Sequence, residues 1–393
     1  MTELPEVLMP AGLPAPDPDA QAHSHKVQAL LLEQIRAAGG WLSFEDWMRT
    51  ALYAPGLGYY SAGSVKLHRE GDFTTAPETS PLFGQCLARQ VAQVLQASAS
   101  PVVLEFGAGS GALAAALIPA LQALGQPVDY RILELSADLR ARQQERLSPW
   151  GGQVRWLDRL PEAFTGCVLA NEVLDAMPVT LFRWNARETL DVLGVAAAGR
   201  EDGDSAFVWS ARPAPPAVSQ AVAQRMPPLT GYQSEINLQA QAWVRDLGRW
   251  LRRGAALLID YGFPQAEYYH PQRAQGTLMC HFRHHAHPQP LVLPGLQDIT
   301  AHVDFTAMAD AALEGGLDVM GYTSQARFLM NCGLTELVPA PGGDPAARAR
   351  QLAALNTLVS EAEMGELFKV LALGRDLDAP LLGFGRGDRR DRL

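Results

Sequence analysis

Three glycines separate a short apolar run from an alanine-rich stretch in the sequence LEFGAGSGAL. Gly107, Gly109 and Gly111 would allow a sharp backbone turn and a close approach to a ligand, and the helix that follows would supply free N–H donors. The spacing alone does not name the ligand, because with Ala112 it also satisfies the dinucleotide pattern G-x-G-x-x-A. A purely structural glycine turn is the simplest alternative.

Three acidic residues near this loop narrow the choice of ligand. Glu105 lies two residues before Gly107, where a carboxylate would favour a cationic sulfonium. Glu134 ends a second strand and could accept both ribose hydroxyls of an adenosyl group, although NAD would suit it equally and a helix-capping surface acid is the alternative. Asp158 ends a third strand, where it could accept from an adenine amino group or be a simple turn residue. Together these residues predict S-adenosylmethionine (SAM) rather than NAD.

The sequence LANEVLDAMPV places polar residues at the end of a fourth strand. Strand carboxyl ends form the ligand crevice of open α/β sheets, so two carboxylates beside SAM indicate a cationic or amine acceptor. A guanidinium stays protonated, and a carboxylate that grips it can shift its positive charge and align the attacking nitrogen. We predict this role for Glu172, with Asp175 as second carboxylate or helix cap and Asn171 in the same catalytic group. Alternatively, Asp175 caps a helix and Glu172 pairs with a surface base.

The stretch GDFTTAPETS, residues 71–80, has the composition of a loop that closes over a polar ligand. We predict that Gly71, Asp72 and Thr75 contact the cofactor and that Glu78 contacts the substrate. The alternative is a polar connector that ends in a helix start at Ser80.

The sequence CHFRHHAHP contains one cysteine and four histidines. Its arginine and proline make a regular helix doubtful, so we favour a polar loop over a metal site and predict no metal. His302, in QDITAHVDF, could contact the substrate or act as a base, and a partly buried structural histidine is an equal alternative.

Strands and helices alternate with short connections from Pro101 onward, which predicts an α/β, Rossmann-like, doubly wound and mostly parallel sheet. We expect an N-terminal helical region before this sheet and an inserted lobe over it. The predicted boundaries are a disordered tail at 1–25, an N-terminal helical region with its loop 71–80 at 26–98, a SAM-binding domain at 99–261, an inserted substrate lobe at 262–330, a C-terminal part that completes the sheet at 331–380, and a tail at 381–393.

Composition excludes several classes of partner. The chain has 393 residues, 48% of them hydrophobic, and a net charge of −10. An acidic chain is a poor binder of phosphate backbones, and Met177-Pro178-Val179 replaces the Pro-Pro-aromatic element usual in base methyltransferases, so we expect no nucleic-acid partner. No apolar run reaches the roughly 18 residues of a membrane span. The four cysteines fit neither a paired zinc motif nor a disulfide scaffold and favour a reducing compartment.

The motifs GDFTTAPETS, LEFGAGSGALA, ILELS, ANEVLDAMPV, SEIN, PGLQDITAHVDF and EMGELFKVLA together resemble the MidA-like family, over roughly residues 40–375. The resemblance implies a class I SAM-dependent methyltransferase fold. Mitochondrial members are assembly factors of respiratory complex I, so it also implies symmetric dimethylation of an arginine on a complex I subunit. By position, the glycine loop and Glu134 match the family's SAM loop and ribose acid, 71–80 its signature loop, and Asn171, Glu172 and Asp175 its fourth-strand motif.

The histidine-rich lobe and the acidic N-terminus depart from the family pattern and leave the protein substrate open. The chain carries no presequence and looks bacterial, which predicts a cytoplasmic protein. Two other functions remain: a methyltransferase for a small amine or another side chain, and an assembly chaperone that binds SAM without catalysis. The sequence leaves the oligomeric state open, a homodimer included.

Overall fold

The structure is a computed structural model that describes residues 4–62, 75–198, 206–338 and 344–393. Gly71 and Asp72, both predicted to contact the cofactor, therefore lie outside the described residues. Of the loop 71–80, only the part from Thr75 onward is described.

The helices of the described residues are α1 (Pro18–Ala37), α2 (Phe44–Tyr53), α3 (Ala76–Thr79), α4 (Pro81–Ser98), α5 (Ala112–Ala123), α6 (Ala137–Arg146), α7 (Pro216–Ala223), α8 (Leu238–Trp250), α9 (Gln265–Tyr268), α10 (Phe305–Glu314), α11 (Gln325–Asn331), α12 (Leu334–Leu337), α13 (Pro345–Val359) and α14 (Met364–Leu367). The strands are β1 (Leu42–Ser43), β2 (Val102–Phe106), β3 (Asp129–Leu133), β4 (Val154–Leu157), β5 (Phe164–Asn171), β6 (Thr180–Trp184), β7 (Leu190–Ala197), β8 (Phe207–Pro213), β9 (Gln233–Ile236), β10 (Leu251–Phe263), β11 (Met279–Phe282), β12 (His285–His287), β13 (Asp298–Thr300), β14 (Val303–Asp304), β15 (Asp318–Ser324) and β16 (Phe368–Arg375). None of these helices combines the length and the apolar character needed to cross a membrane.

The chain forms two compact units, each assembled from three separate stretches. The parallel-sheet unit comprises Thr74–Leu174, Gln241–Pro264 and Val303–Leu393, and the antiparallel-sheet unit comprises Met1–Phe73, Asp175–Ala240 and Gln265–His302. This division differs from the consecutive regions that the sequence suggested. The segment predicted as one inserted lobe, 262–330, is shared between the two units: Gln265–His302 belongs to the antiparallel-sheet unit, and the residues before and after it belong to the parallel-sheet unit.

The parallel-sheet unit contains the predicted doubly wound sheet. Its strand order is β15-β16-β10-β5-β2-β3-β4, and the five strands from β10 to β4 pair in parallel. Strand β16 runs antiparallel between β10 and β15. The central strands are apolar because helices cover both faces, and their side chains share a core with α4 and α5. The chain order reverses between β2 and β5, so ligands are expected at the carboxyl ends of these two strands.

The antiparallel-sheet unit has two sheets of its own. In the larger one the order is β1-β7-β6-β9, with β8 also paired to β7, so β6, β7 and β8 form a three-stranded meander. The smaller sheet has the order β12-β11-β13. Its β11–β12 hairpin contains the histidine-rich segment, for which the sequence predicts a polar loop; Arg283 and His284 make the turn with φ values of 49° and 65°.

The two chain ends also differ from the tails suggested by their composition. Helix α1 begins at Pro18, where Asp17 accepts a hydrogen bond from Ala20 N at 2.9 Å. At the other end, Asp388 accepts from Tyr322 N at 3.1 Å and Arg389 N donates to Tyr322 O at 2.7 Å. Polar residues that read as a solvated tail thus satisfy the backbone of β15.

Candidate active site

The glycine loop after β2 adopts a conformation that other residues rarely take. The φ angles of Gly107, Gly109 and Gly111 are 59°, 54° and 81°. A β-carbon on Gly107 would lie 3.2 Å from Val173 Cγ2, so the loops after β2 and β5 touch. A β-carbon on Gly109 would meet no atom within 4 Å. The loop is therefore a turned backbone with open space beside it, at the edge of the sheet where ligands bind.

Glu134, just after β3, is held by two donors. Ser136 N donates to its Oε1 and Gln143 Nε2 to its Oε2, both at 2.9 Å. Burial raises the pKa of Glu134 above its ordinary value, although both hydrogen bonds lower it. Gln143 Nε2 also donates to Gly109 O at 2.8 Å, and Gln143 Oε1 accepts from Trp156 Nε1 at 2.9 Å. Sequence reasoning missed Gln143; the available signal was its place on the inward face of a charged helix.

Glu105 lies inside the sheet and is only 2% exposed. Tyr130 Oη donates a hydrogen bond to its Oε2 at 2.7 Å. Burial raises the pKa of Glu105 to about 7, with the Tyr130 hydrogen bond lowering it and the charge of Glu134 raising it. Near neutral pH this side chain is therefore shared between its charged and neutral forms, whereas the sequence suggested a plain carboxylate.

Two side chains on the outer part of this edge are exposed. Asp158 follows β4 with its side chain 83% exposed and forms an ion pair with Arg140 at 2.5 Å. Its contact with adenine stays a prediction. Leu135, which the sequence reasoning missed, follows Glu134 directly and is 86% exposed. An exposed leucine is ordinary by itself, but its place beside Glu134 offers an apolar surface next to the carboxylate.

The segment after β5 is held in an uncommon backbone conformation. Glu172 has a φ of 54°, its N–H donates to Ile259 O at 2.9 Å, and its Oε1 accepts from Asn171 Nδ2 at 3.0 Å. Asp260, buried in β10, accepts hydrogen bonds from Leu174 N and from the N–H that follows it in the chain, each at 3.0 Å. Asp260 was missed because its partner loop is distant in sequence.

Asp175 and His302, both predicted at the acceptor side, belong to the antiparallel-sheet unit. Asp175 is buried and its carbonyl oxygen accepts from Ala301 N at 3.0 Å. No helix of the described residues begins at Asp175, so the helix-cap interpretation is wrong. His302 N donates to Thr277 Oγ1 at 2.9 Å. Their roles toward an acceptor stay predictions.

The described half of the loop 71–80 contacts the glycine loop. Thr75 precedes α3 and makes no side-chain cap. Glu78 accepts hydrogen bonds from Ser110 Oγ and, at 3.0 Å, from Arg146 Nη1. Burial raises the pKa of Glu78, but the Arg146 and Ser110 hydrogen bonds outweigh it and hold the pKa below its ordinary value. Glu78 thus braces the glycine loop, and its contact with substrate stays a prediction.

In the histidine-rich hairpin, burial lowers the pKa values of two histidines. Burial lowers the pKa of His281 to about 4, with the neighbouring His287 lowering it further. Within the described ranges, no group of three or more His, Cys, Asp or Glu side chains could hold a metal ion.

Comparison with known proteins identifies the family of the chain. Residues 86–323, more than half of the chain, match a family model described as "Putative S-adenosyl-L-methionine-dependent methyltransferase". The chain belongs to this family. The predicted MidA-like, class I SAM-dependent methyltransferase is therefore confirmed, with SAM as its cofactor, and the dinucleotide alternative is wrong.

Two crystal structures from Burkholderia thailandensis resemble the chain closely. Each has a TM-score of 0.89 and covers 97% of this chain and 100% of its own, at 50% and 49% identity. The second structure contains S-adenosyl-homocysteine. Among curated proteins, the Drosophila melanogaster "Protein arginine methyltransferase NDUFAF7 homolog, mitochondrial" is 28% identical over 94% of this chain and 92% of its own. The Mus musculus NDUFAF7 is 26% identical over 90% and 86%.

Proposed function

We propose that this methyltransferase methylates an arginine side chain of a protein, with Glu172 as the carboxylate that grips the guanidinium. The observation that carries the proposal is the arrangement of Asn171 and Glu172 at the carboxyl end of β5, beside the glycine loop. Asn171 Nδ2 orients Glu172 Oε1, while Asn171 Oδ1 is buried with no hydrogen-bond partner among the described residues. Two acceptors side by side suit a group rich in N–H donors.

The backbone of Glu172 supports the same role. A non-glycine residue at a φ of 54° is uncommon and costs on the order of 1 kcal/mol, so the surrounding hydrogen bonds must hold it there. Strain of this kind is concentrated at functional sites. The bonds to Ile259 O and to Asp260, both in β10, hold the backbone at Glu172 and at Leu174, and the Asn171 hydrogen bond orients the carboxylate.

The residues of the chain supply alignment and charge. When bound, SAM would supply the methyl group from its sulfonium: the acceptor nitrogen would form the new N–C bond as the C–S bond breaks with its electron pair on sulfur, and the proton released from that nitrogen would pass to solvent. Glu172 would accept two N–H bonds from the guanidinium and draw its positive charge toward that side. A lone pair would then be available on the opposite nitrogen for attack on the methyl group.

The cofactor side of the proposal uses residues of the parallel-sheet unit. The turned backbone of the glycine loop would receive the amino-acid part of SAM, and Glu134 would accept the ribose hydroxyls with its remaining lone pairs. Leu135 would provide an apolar wall for the adenine, and Asp158 an acceptor for its amino group. Glu105 would favour the sulfonium in its charged form.

The nature of the acceptor is supported by the relatives, which are named protein arginine methyltransferases. Acceptance of a protein arginine by this chain, a complex I subunit as its source, and a cytoplasmic location are parts of the proposal. A small amine as acceptor, or SAM binding without catalysis, would be separate outcomes of its test.

The test uses labelled SAM and lysate from a strain that lacks this protein. We expect the wild type to label a protein band and mass spectrometry to find methylarginine in it. Glu172→Gln keeps the size of the side chain but removes the charge, and should lower labelling by on the order of 100-fold while SAM affinity by calorimetry changes little. Glu188→Gln is the matched control, because Glu188 is exposed and has a similar φ of 55°.

Each contrary outcome has a distinct meaning. Unchanged labelling by Glu172→Gln would remove Glu172 from the mechanism. Methyl groups on another side chain or on a small amine would overturn the arginine proposal. Tight SAM binding with no labelled product in any lysate would favour the chaperone function.

A further inference from the structure

Gln143 is a buried amide on a largely charged helix whose other residues are partly or fully exposed. It is the buried residue of α6 and has 0% exposure. All its hydrogen-bonding groups are used: Nε2 donates to Gly109 O at 2.8 Å and to Glu134 Oε2 at 2.9 Å, and Oε1 accepts from Trp156 Nε1 at 2.9 Å. Each contact lies on a different strand or loop of the parallel-sheet unit.

This network determines which way the amide faces. Trp156 Nε1 can only donate, so it must meet the amide oxygen. Gly109 O and the Oε2 of ionised Glu134 can accept hydrogen bonds but cannot donate them, so they must meet the two N–H groups. A rotation of the amide by half a turn would oppose like groups at all three contacts. The orientation of Gln143 is therefore fixed by its neighbours, and Gln143 in turn fixes theirs.

We propose that Gln143 is the positioning residue of the cofactor site: it ties the glycine turn to the ribose-binding carboxylate and sets their separation. This inference rests on the proposed role of Glu134 and is independent of the identity of the acceptor. Ser136 N and Gln143 Nε2 each occupy one oxygen of Glu134, which leaves a lone pair on each oxygen for a ribose hydroxyl. Because the amide is neutral, it holds the carboxylate without cancelling its charge. A lysine or arginine in its place would cancel that charge.

The test separates positioning from general stability with two ligands that differ by one hydroxyl. Calorimetry compares S-adenosylhomocysteine with its 2′-deoxy derivative. For the wild type we expect the loss of the hydroxyl to weaken binding on the order of 10-fold or more, because it donates to a charged acceptor. For Gln143→Met, a near-isosteric change, the penalty should shrink to about threefold, since the carboxylate is no longer aimed. If Gln143 acted only on the stability of the fold, Gln143→Met would weaken the binding of both ligands equally.

The control is Gln122→Met, the same change at an exposed residue of α5 whose Nε2 donates to Gln153 at 3.0 Å. It should keep the full wild-type penalty. A Gln143→Met protein that keeps this penalty would overturn the inference. A wild type that binds both ligands equally would instead remove Glu134 from the ribose site, a failure of the proposed site itself. If Gln143→Met does not fold, Trp156→Phe frees the amide oxygen and should reduce the penalty, and an unchanged penalty would overturn the inference.

Discussion

Glu105 shows how a buried carboxyl can be unfavourable for the folding of the cofactor-free protein. Its carboxyl is buried in the sheet with a single described hydrogen-bond donor, Tyr130. Because burial penalises the charged form, the folded protein holds the proton up to a pH of about 7, against an ordinary value of 4.5. A cationic ligand beside it would restore the charged form.

Glu105→Gln should therefore stabilise the cofactor-free protein in a pH-dependent way. With a pKa higher in the folded state, the Glu105 carboxyl makes its full contribution to stability below pH 4.5 and loses it as pH rises through about 7. Each pKa unit is worth about 1.4 kcal/mol, so the benefit of the amide should grow by about 2–3 kcal/mol between pH 5 and pH 8. Urea unfolding at both pH values measures this change. Glu162→Gln, at an exposed position, is the control, and an equal effect of Glu105→Gln at both pH values would contradict the expectation.

At the scale of elements, the loop after β5 depends on its neighbour β10. The buried carboxylate of Asp260 accepts from Leu174 N and from the next N–H of its own strand. The backbone of Glu172 meets Ile259 O from the same strand. Strand β10 thus positions a segment that is distant in sequence: Asp260 and Leu174 are 86 residues apart.

Asp260→Asn should disturb this segment without emptying the cofactor site. The amide has one acceptor oxygen where the carboxylate uses two, so a backbone N–H would face an NH₂ group. We expect methyl labelling to fall about 10-fold, stability to fall by about 1–2 kcal/mol, and SAM affinity to stay within about threefold. Asp246→Asn, at a half-exposed position of α8, is the control. Lost stability with normal labelling would limit Asp260 to a structural role.

At the scale of the whole molecule, the last residues of the chain are part of the parallel-sheet unit. The Tyr322 N–H donates to Asp388, and the Tyr322 carbonyl oxygen accepts from Arg389 N. Arg389 also pairs with Glu366 at 2.5 Å. Thr323 Oγ1 donates to Gly387 O at 2.8 Å. The chain end thus covers the outer edge strand β15, which would otherwise present unpaired backbone groups.

Removal of residues 386–393 should accordingly lower stability. The truncation uncovers the edge of β15 and leaves Glu366 without Arg389, which we expect to cost about 2–4 kcal/mol. Urea unfolding measures the loss. A shorter truncation that removes only 391–393 keeps the contacts of Asp388 and Arg389 and is the control. Equal stability of the two truncated proteins would mean that the anchored end contributes nothing.

The sequence by itself determined the features that depend on local rules. Alternating apolar and helical periods indicated the doubly wound sheet, the glycine spacing indicated the turn after β2, and Ser80 marked the start of α4, where its hydroxyl accepts from Leu82 N. The motif set also identified the family. These signals are local because periodicity, capping and left-handed glycines are properties of a few neighbouring residues.

Only the tertiary structure decided which distant groups meet. It joined Gln143 to Gly109, Asp260 to Leu174, and Asp388 to Tyr322, and it assigned Asp175 and Leu174, adjacent in the chain, to different units. It also showed that both predicted tails contain ordered contacts: α1 begins at Pro18, and Asp388 and Arg389 form hydrogen bonds with Tyr322. The physical reason is common to all of these cases: a polar side chain satisfies whichever buried partner the fold brings near, and nothing in its own neighbourhood of sequence records that partner.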